Sequence, residues 1–388
     1  MTKKIQRNNW TSKFELVGKP KINDYTFKLD SKSEKSAWIY NAMSLYVDCG
    51  EKYGDILCEM MGGYSSEGNS VIYAHGKDED GRDDFTVENR INVAWEDRFD
   101  ESILESVGSL CFFTVGLEKD KSGKTFYKEF LSEYDAIAYV QEHLSEDMVI
   151  RVKGDLVYSL YNNNVMVKKK VRSIVLSKVE DSKDFSATFT QSILLDKDSF
   201  NIKDLDKSTG DLPIYARVLD YVKEINGTDI RTFYPMPRVF YYKFDLENPD
   251  MSTKFCNRLL KVKNGITQIN FCGELIENGT VTVSYDDLPD EIKELIEIGA
   301  YSKEEALSKC SDNKSKDKKM YITKPNFVNV ELEDGTQKPT VMMFENAYTE
   351  EDLFFEIAEP TEDTNEDVAT SNNTETQTNT MDWLNNLA

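Results

Sequence analysis

The chain has 388 residues and a formal net charge of -23, with 39% hydrophobic, 11% aromatic and 30% charged residues. This composition is typical of a folded, water-soluble protein long enough for two domains, and it excludes a wholly disordered chain. No apolar run reaches the length of a membrane-spanning helix, which excludes an integral helical membrane protein.

Cysteine and histidine are too sparse and too scattered for a zinc site. The six cysteines include no CxxC pair, and the only histidines are His75 and His143. Because zinc ligands usually come as close pairs, we expect no metal and no other cofactor. Scattered thiols are typical of a reducing compartment, and the N-terminus has no apolar segment of the secretory kind, which predicts a cytoplasmic protein.

The elements in chain order begin with an arm and a first β-domain. Residues 1–35 are basic and weakly patterned, and they are predicted to be the arm. Strand-like stretches follow, then a helix over 132–144, which begins with a Ser N-cap and carries apolar residues three and four apart. Two long strands in 149–178 come next. Strands, a helix and two further strands are the order of an OB-fold, so 36–182 is predicted to be an OB-fold domain.

A second, similar arrangement is predicted over residues 183–358. Several strand-like stretches are followed by a helical stretch within 287–310 and by a closing strand at 318–332. Strands, a helical insertion and a closing strand resemble a second, more decorated barrel. The predicted fold class is therefore mainly β with minor α: two OB-like Greek-key β-barrels plus a disordered acidic tail.

The predicted tail is residues 359–388. From Pro339 onwards there is no Lys or Arg, and there are twelve acidic residues. Few apolar residues are available to bury, so disorder is expected. The tail ends in an apolar tip that is predicted to bind a groove of a partner protein, although a tip without function stays an alternative. The tip residues are Met381, Asp382, Trp383, Leu384 and Leu387.

Positive charge is concentrated in three windows of this acidic chain. Residues 1–40 carry +5, residues 148–178 carry +6 and residues 213–263 carry +3. Such segregation indicates a surface that binds a polyanion. The alternative is that these cations merely occupy solvent-facing strand positions.

Alternation along the hairpin 149–178 predicts which side chains face solvent. Every second residue of each strand is apolar and is assigned to the core: Ile150, Val152, Leu156, Leu160, Val165, Val167, Val171 and Val175. Lys169 lies among the inward valines, which indicates a bulge near it. The outward cations would follow one another at about 6.6 Å and make a rail for a phosphate backbone. They are Arg151, Lys153, Lys168, Lys170 and Arg172.

Aromatic residues beside these cations complete the predicted site, because single-stranded nucleic acid is held by positive charge and by rings on which bases stack. In the first region the candidate stacking residues are Trp38, Tyr40, Tyr158 and Tyr161. In the second region the candidates are Arg231, Phe233, Tyr234, Arg238, Tyr241 and Lys243. Many rings of a β-rich protein lie in its core, and that stays the alternative for each ring named here.

The stretch FYKEFLSEYDAIAYVQEHL followed by MVIRVKGDLVYSLYNNNVMVKKKVRSIVLSK resembles OB-fold single-stranded DNA-binding proteins of the phage and bacterial type, whose acidic C-terminal tails are similar in design. The resemblance implies a protein that coats and protects single-stranded DNA in phage-type replication, recombination and repair, largely without sequence preference. It also implies that the tail recruits replication and recombination proteins and competes with DNA for the basic groove. Unlike the short bacterial members, which form tetramers, this chain has room for two barrels, and its tail lacks their Ile-Pro-Phe-type tip.

Catalytic patterns are weak, and no enzyme is predicted. Gly123-Lys124-Thr125 lacks the upstream glycine of a P-loop, since position 118 is Glu118. Two histidines leave little from which to build a Ser-His-Asp or Cys-His site. A two-carboxylate hydrolase and an RNA-specific binder stay open. The main alternative function is a β-rich virion, assembly or protein-interaction module that binds no nucleic acid.

Overall fold

The computed structural model describes residues 5–7, 9–161, 164–279, 293, 296, 317–331 and 336–355. The predicted acidic tail at 359–388 lies outside these residues. The helical stretch predicted within 287–310 also lies outside them, apart from residues 293 and 296, which are helical.

The described chain is mainly β, as predicted. Its first part contains helices α1 (Glu101–Ser106) and α2 (Glu133–His143) and the strands β1 (Ser12–Lys21), β2 (Phe27–Lys32), β3 (Trp38–Asp48), β4 (Asp55–Ser65), β5 (Val71–Lys77), β6 (Asp83–Asp84), β7 (Arg90–Ala94), β8 (Phe113–Lys119), β9 (Thr125–Phe130), β10 (Ile150–Tyr161) and β11 (Asn164–Leu176). Its second part contains helix α3 (Pro249–Phe255) and the strands β12 (Ser186–Leu195), β13 (Asp211–Ile225), β14 (Thr228–Lys243), β15 (Ile266–Gly279), β16 (Asp317–Pro325), β17 (Phe327–Glu331), β18 (Gln337–Val341) and β19 (Met343–Tyr348).

Strands β1, β3, β4, β11 and β10 close into the first barrel. Neighbours along this order are paired, and β10 pairs back onto β1. The β4–β11 pair is parallel, with Glu59 opposite Lys170, and the other pairs are antiparallel. Helix α2 lies between the third and fourth barrel strands in sequence. This is the strand order of an OB-fold, which confirms the fold predicted for this region.

The second barrel repeats the same order with β12, β13, β14, β16 and β15. Its parallel pair is β14–β16, with Tyr241 opposite Tyr321, and β15 closes the barrel onto β12. Helix α3 occupies the position that α2 has in the first barrel. The sequence pattern did not indicate α3, whose seven residues are too few for an apolar periodicity to stand out.

Strand β1 joins the two barrels, and this overturns the predicted arm at residues 1–35. One edge of β1 pairs with β10, and the other edge pairs with β12, with Phe14 opposite Phe189. Phe14 and Leu16 face the core, because apolar and charged residues alternate along this part of the strand. The many basic residues of 1–35 obscured this alternation in the sequence. Strands β11, β10, β1, β12 and β15 therefore form one continuous surface across both barrels.

The predicted hairpin is present, but its alternation shifts at Arg172. Ser173 lies opposite Lys153 and Val171 lies opposite Gly154, so Arg172 is the extra residue of a bulge. Beyond the bulge Ile174 is buried, and Val175, predicted to be inward, is not. The bulge predicted near Lys169 is thus three residues further along.

Helix α2 follows from its sequence as predicted. The Ser132 hydroxyl accepts a hydrogen bond from the Tyr134 N–H at 3.1 Å, which satisfies one of the free donors of the first turn. Ala136, Ile137 and Val140 are buried against the first barrel.

Gly154 lets β10 and β11 approach at the bulge, and we expect Gly154→Ala to destabilise the protein. A Cβ atom there would lie 2.0 Å from the Lys170 carbonyl oxygen and 2.8 Å from the Phe14 ring. Overpacking of this kind costs about 1–3 kcal/mol, which urea denaturation would measure. Gly76→Ala is the control, because its Cβ would have no neighbour closer than 3.4 Å. Equal costs for the two variants would contradict this explanation.

Candidate nucleic-acid interface

An open groove of about 400 Å³ crosses the joined surface at β1. Antiparallel pairing places Lys153, Glu15 and Thr188 in one row across β10, β1 and β12. The row beside it holds Asp155, Lys13 and Thr190. The groove is lined by Lys13, Phe14, Glu15, Lys153, Gly154, Arg172, Thr188, Phe189 and Thr190.

Cations outnumber acids along this groove. The Glu15 carboxylate forms ion pairs with Lys153 at 2.9 Å and with Arg151 at 3.5 Å. The Asp155 carboxylate forms ion pairs with Arg172 at 3.0 Å and with Lys13. Lys13, Lys153 and Arg172 line the groove, and Arg151 lies beside it as the second partner of Glu15. We call these four cations the groove cations. With two carboxylates between them, they leave a local charge of +2.

The groove cations remain open to a ligand. Their side chains are 40–60% exposed. Ion pairs at such positions contribute only about 0–1 kcal/mol, so an incoming phosphate can replace a carboxylate at little cost. The groove is thus positive and already holds its cations in place.

Asp155 stays ionised in this setting. Burial alone would raise the pKa of Asp155, but hydrogen bonds from Lys13 and Arg172 outweigh burial and hold that pKa below its ordinary value. The carboxylate is therefore charged at every pH above about 4. Protonation of Asp155 therefore does not change the local charge of the groove around neutral pH.

The remaining cations of the predicted rail lie further around the first barrel. Lys170 faces helix α2, where its Nζ lies 3.3 Å from the Glu133 carboxylate. Lys168 is partly exposed and lies opposite Val157. The structure therefore brings Arg151, Lys153 and Arg172 together, adds Lys13 from β1, and places Lys168 and Lys170 beyond them along β11.

The aromatic residues predicted in the first barrel divide into two groups. Trp38 and Tyr40 are partly buried and share the outer face of β3 with Tyr46, which is 42% exposed. Tyr158 is 1% exposed, and its hydroxyl donates to Gln191 at 3.2 Å. The prediction that Tyr158 is an exposed stacking ring is wrong. Tyr158 lies two residues after the buried Leu156 and therefore faces the same side of β10, towards the core. The side chain of Tyr161 lies outside the described residues.

Residues at the start of β14 serve mainly in local packing. Arg231, which has a positive φ, pairs with Asp229 at 2.8 Å. Phe233 lies under the Arg7 guanidinium, 4.3 Å from ring centroid to Cζ. Tyr234 packs on Phe355 with ring centroids 5.2 Å apart. Phe233 and Tyr234 are partly enclosed by other side chains, whereas Arg231 is exposed, and none of the three lines the groove.

The other end of β14 carries a second basic and aromatic cluster. Lys243 and Lys319 both bind Asp211, at 2.8 and 3.1 Å. Tyr241 lies beside Tyr321, with ring centroids 5.8 Å apart. Arg238 lines a small cavity between the barrels, and its Nε has no hydrogen-bond partner. This cluster forms where β14 pairs with β16. The residues predicted as one group in the second region therefore fall into two groups, 231–234 and 238–243.

Sequence reasoning missed two exposed rings beside the first barrel. Phe126 and Tyr127 on β9 are 52% and 58% exposed. Strand β9 pairs with β8, and β8 extends the sheet from β11. The neighbouring Lys124 and Lys128 were the available signal, since basic residues interleaved with rings are what stacking surfaces need.

The described part of the chain has neither a metal-binding cluster nor a membrane-spanning helix. No three His, Cys, Asp or Glu side chains are grouped there in a way that would hold a metal ion. Within the same residues, no helix is both long and apolar enough to cross a membrane.

Comparison with known proteins gives a family match and distant likenesses among solved structures. No curated protein sequence matches the chain. A crystal structure of a deletion mutant of the single-stranded DNA binding protein from Thermus aquaticus covers 69% of this chain and 87% of its own, with 9% identity and a TM-score of 0.27. A family model described as YorF matches residues 76–353, which is well over half of the sequence. The chain therefore belongs to the YorF family.

Proposed function

We propose that this protein binds single-stranded DNA and coats it without strong sequence preference. The observation that supports this most is the groove at the junction of two OB-folds, where four cations share two carboxylates. OB-folds recurrently bind oligonucleotides, and a positive groove that follows the backbone supplies affinity without reading sequence. The fold alone would not carry the proposal, since one fold serves many functions.

In this proposal the phosphates displace Glu15 and Asp155 from the groove cations. The backbone then follows β10 and β11 around the first barrel towards Lys168 and Lys170. Trp38, Tyr40, Phe126 and Tyr127 are rings on which bases would stack, each contributing on the order of 1–3 kcal/mol. All of these contacts are to features that every nucleotide shares.

The biological setting is a proposal of the same kind. The protein would protect DNA in phage-type replication, recombination and repair, in the cytoplasm of a bacterial host, without catalysing a reaction. Residues 359–388 would recruit replication and recombination proteins through Met381, Asp382, Trp383, Leu384 and Leu387. The same acidic segment would compete with DNA for the groove cations.

A fluorescence titration with oligo-dT at two salt concentrations tests the proposal, for the full chain and for a chain that ends at Glu359. We expect the logarithm of the association constant to fall with the logarithm of salt at a slope of about -3, since each phosphate contact to a single strand contributes roughly -0.7 and four cations are available. The shortened chain should bind more tightly. An absence of binding by both chains at low salt would refute the proposed function.

One observation favours the alternative of an assembly or protein-interaction module. Each groove cation already has a carboxylate partner, as expected for an ordinary solvent-facing strand surface. On that alternative, oligo-dT would show no affinity above that of an acidic polypeptide such as polyglutamate, which is the competitor to include in the titration.

A further inference from the structure

The insertion between β4 and α2 brings a cysteine, a histidine and an aspartate into hydrogen-bonding order. The Cys111 sulfur lies 3.2 Å from Nδ1 of His75, and Nε2 of His75 lies 2.8 Å from the Asp83 carboxylate. These residues come from β5, from β6 and from the turn before β8. Nucleophile, base and orienting acid in this order are how proteins activate a weak nucleophile.

Asp83 is held firmly in its orienting position. Hydrogen bonds from the Ser109 hydroxyl at 2.6 Å and from the Leu110 N–H at 2.9 Å lower the pKa of Asp83 to about 2. An ionised carboxylate at Nε2 favours the tautomer with the proton on Nε2. The lone pair of Nδ1 is then free to accept the thiol proton.

Gly108 makes the close approach of this pair possible. A Cβ atom at that position would lie 2.4 Å from the Asp83 carboxylate and 2.7 Å from the His75 ring. The backbone around the cluster is therefore fitted to the imidazole and the carboxylate. A cluster that merely tied these strands together would not need the thiol on the remaining ring nitrogen.

The thiol itself is partly exposed and protonated at rest. Burial raises the pKa of the Cys111 thiol, so it needs a base to react. His75 is that base, and its backbone N–H also donates to the sulfur at 3.4 Å, which stabilises the thiolate. The Asp83 carboxylate opposes the thiolate and Arg172 favours it, so the backbone hydrogen bond from His75 is the main stabilising contact.

The surroundings of the sulfur select the type of reaction. The backbone N–H groups of Cys111 and Phe112 already donate to Gly108 and Ser109. They do not form an oxyanion hole, which acyl transfer would need. Thiol–disulfide exchange needs no such donor, because its negative charge develops on the departing sulfur, which an imidazolium can protonate.

We propose that Cys111 is a modification site that exchanges with a low-molecular-weight disulfide. The Cys111 thiol passes its proton to Nδ1 of His75, and the sulfur attacks one sulfur of the disulfide. A bond forms between Cys111 and that sulfur while the original disulfide bond breaks. The departing thiolate takes the proton from His75, which leaves a mixed disulfide on the protein and one free thiol.

The chain carries its own comparison thiol. Among the described cysteines, Cys49, Cys58 and Cys256 are buried, whereas Cys272 is partly exposed like Cys111. The Cys272 sulfur has Thr190 and Asn326 within hydrogen-bonding distance, and neither side chain is a base. The proposal therefore predicts that Cys111 reacts faster than Cys272 in the same molecule.

The test is exposure of the full chain to oxidised glutathione, followed by mass spectrometry of the peptides around each cysteine. Cys111 should be modified at least about tenfold faster than Cys272, and His75→Gln should lower its rate on the order of 10²-fold, the usual contribution of a positioned base. His143→Gln is the control and should leave the rate unchanged.

Two results would overturn the proposal, and neither depends on DNA binding. One is a wild-type Cys111 that reacts no faster than Cys272, which is measurable even if His75→Gln fails to fold. The other is a folded His75→Gln protein whose Cys111 reacts at the wild-type rate.

Discussion

Reversing two groove cations in the variant Lys153→Glu/Arg172→Glu should weaken oligo-dT binding about 10²-fold at low salt. Each lost contact to a charged phosphate removes roughly 1.5 kcal/mol, and tenfold in affinity is about 1.4 kcal/mol. Fluorescence titration measures the change. Lys207→Glu/Lys263→Glu is the matched control, because it alters the net charge equally at exposed positions away from the groove. Equal losses in both variants would show that only net charge matters.

The variant Glu15→Gln should change the affinity for oligo-dT in the opposite direction. Glu15 pairs with Lys153 and Arg151, so its removal frees both cations for phosphate. We expect binding about fivefold tighter, which corresponds to the roughly 1 kcal/mol that an exposed ion pair can contribute. A purely structural pair would leave the affinity unchanged.

The second large effect concerns stability. Lys169 and Glu277 form an ion pair at 2.6 Å, with both side chains only 6% exposed, and the pair links the first barrel to the second. Lys169→Met leaves the Glu277 carboxylate buried, and Lys318, at 3.4 Å, is its remaining ion-pair partner among the described residues. Removing one member of a buried pair costs about 3–5 kcal/mol, and we expect the lower part of that range because Lys318 remains.

Urea denaturation of three variants separates this cost from other effects. Lys170→Met, at an exposed neighbouring position, should stay within about 0.5 kcal/mol of the wild type. Lys169→Met/Glu277→Leu should regain most of the loss, because no unpaired charge remains buried. A Lys169→Met protein as stable as Lys170→Met would contradict the described role of the pair.

The order of elements was predictable because it depends on local patterns. The alternation in 149–178 and the cap at Ser132 are written in neighbouring residues, and they were enough to identify the OB-fold order. Strand β1 was missed because its charged residues outweighed the alternation of Phe14 and Leu16. Tyr158 shows the opposite error, since its core parity was readable but its place near the hairpin end suggested exposure.

The site was only partly predictable, because its charges pair across long sequence separations. Arg151, Lys153 and Arg172 were identified from the hairpin alone. Nothing local could show that Glu15 would lie between the first two, since β1 pairs with β10 only in the folded barrel. The Cys111–His75 contact spans 36 residues without a motif. Counting two histidines argued against such a site, yet one well-placed histidine is enough to build it.

Lysine footprinting of the full chain tests most directly whether the groove binds single-stranded DNA. The protein is acetylated with and without oligo-dT, and the modified peptides are quantified by mass spectrometry. We predict that Lys13 and Lys153 lose reactivity when oligo-dT is bound, whereas the exposed Lys207 and Lys263 keep theirs. Bound oligo-dT that leaves Lys13 and Lys153 as reactive as before would contradict the groove as the binding site.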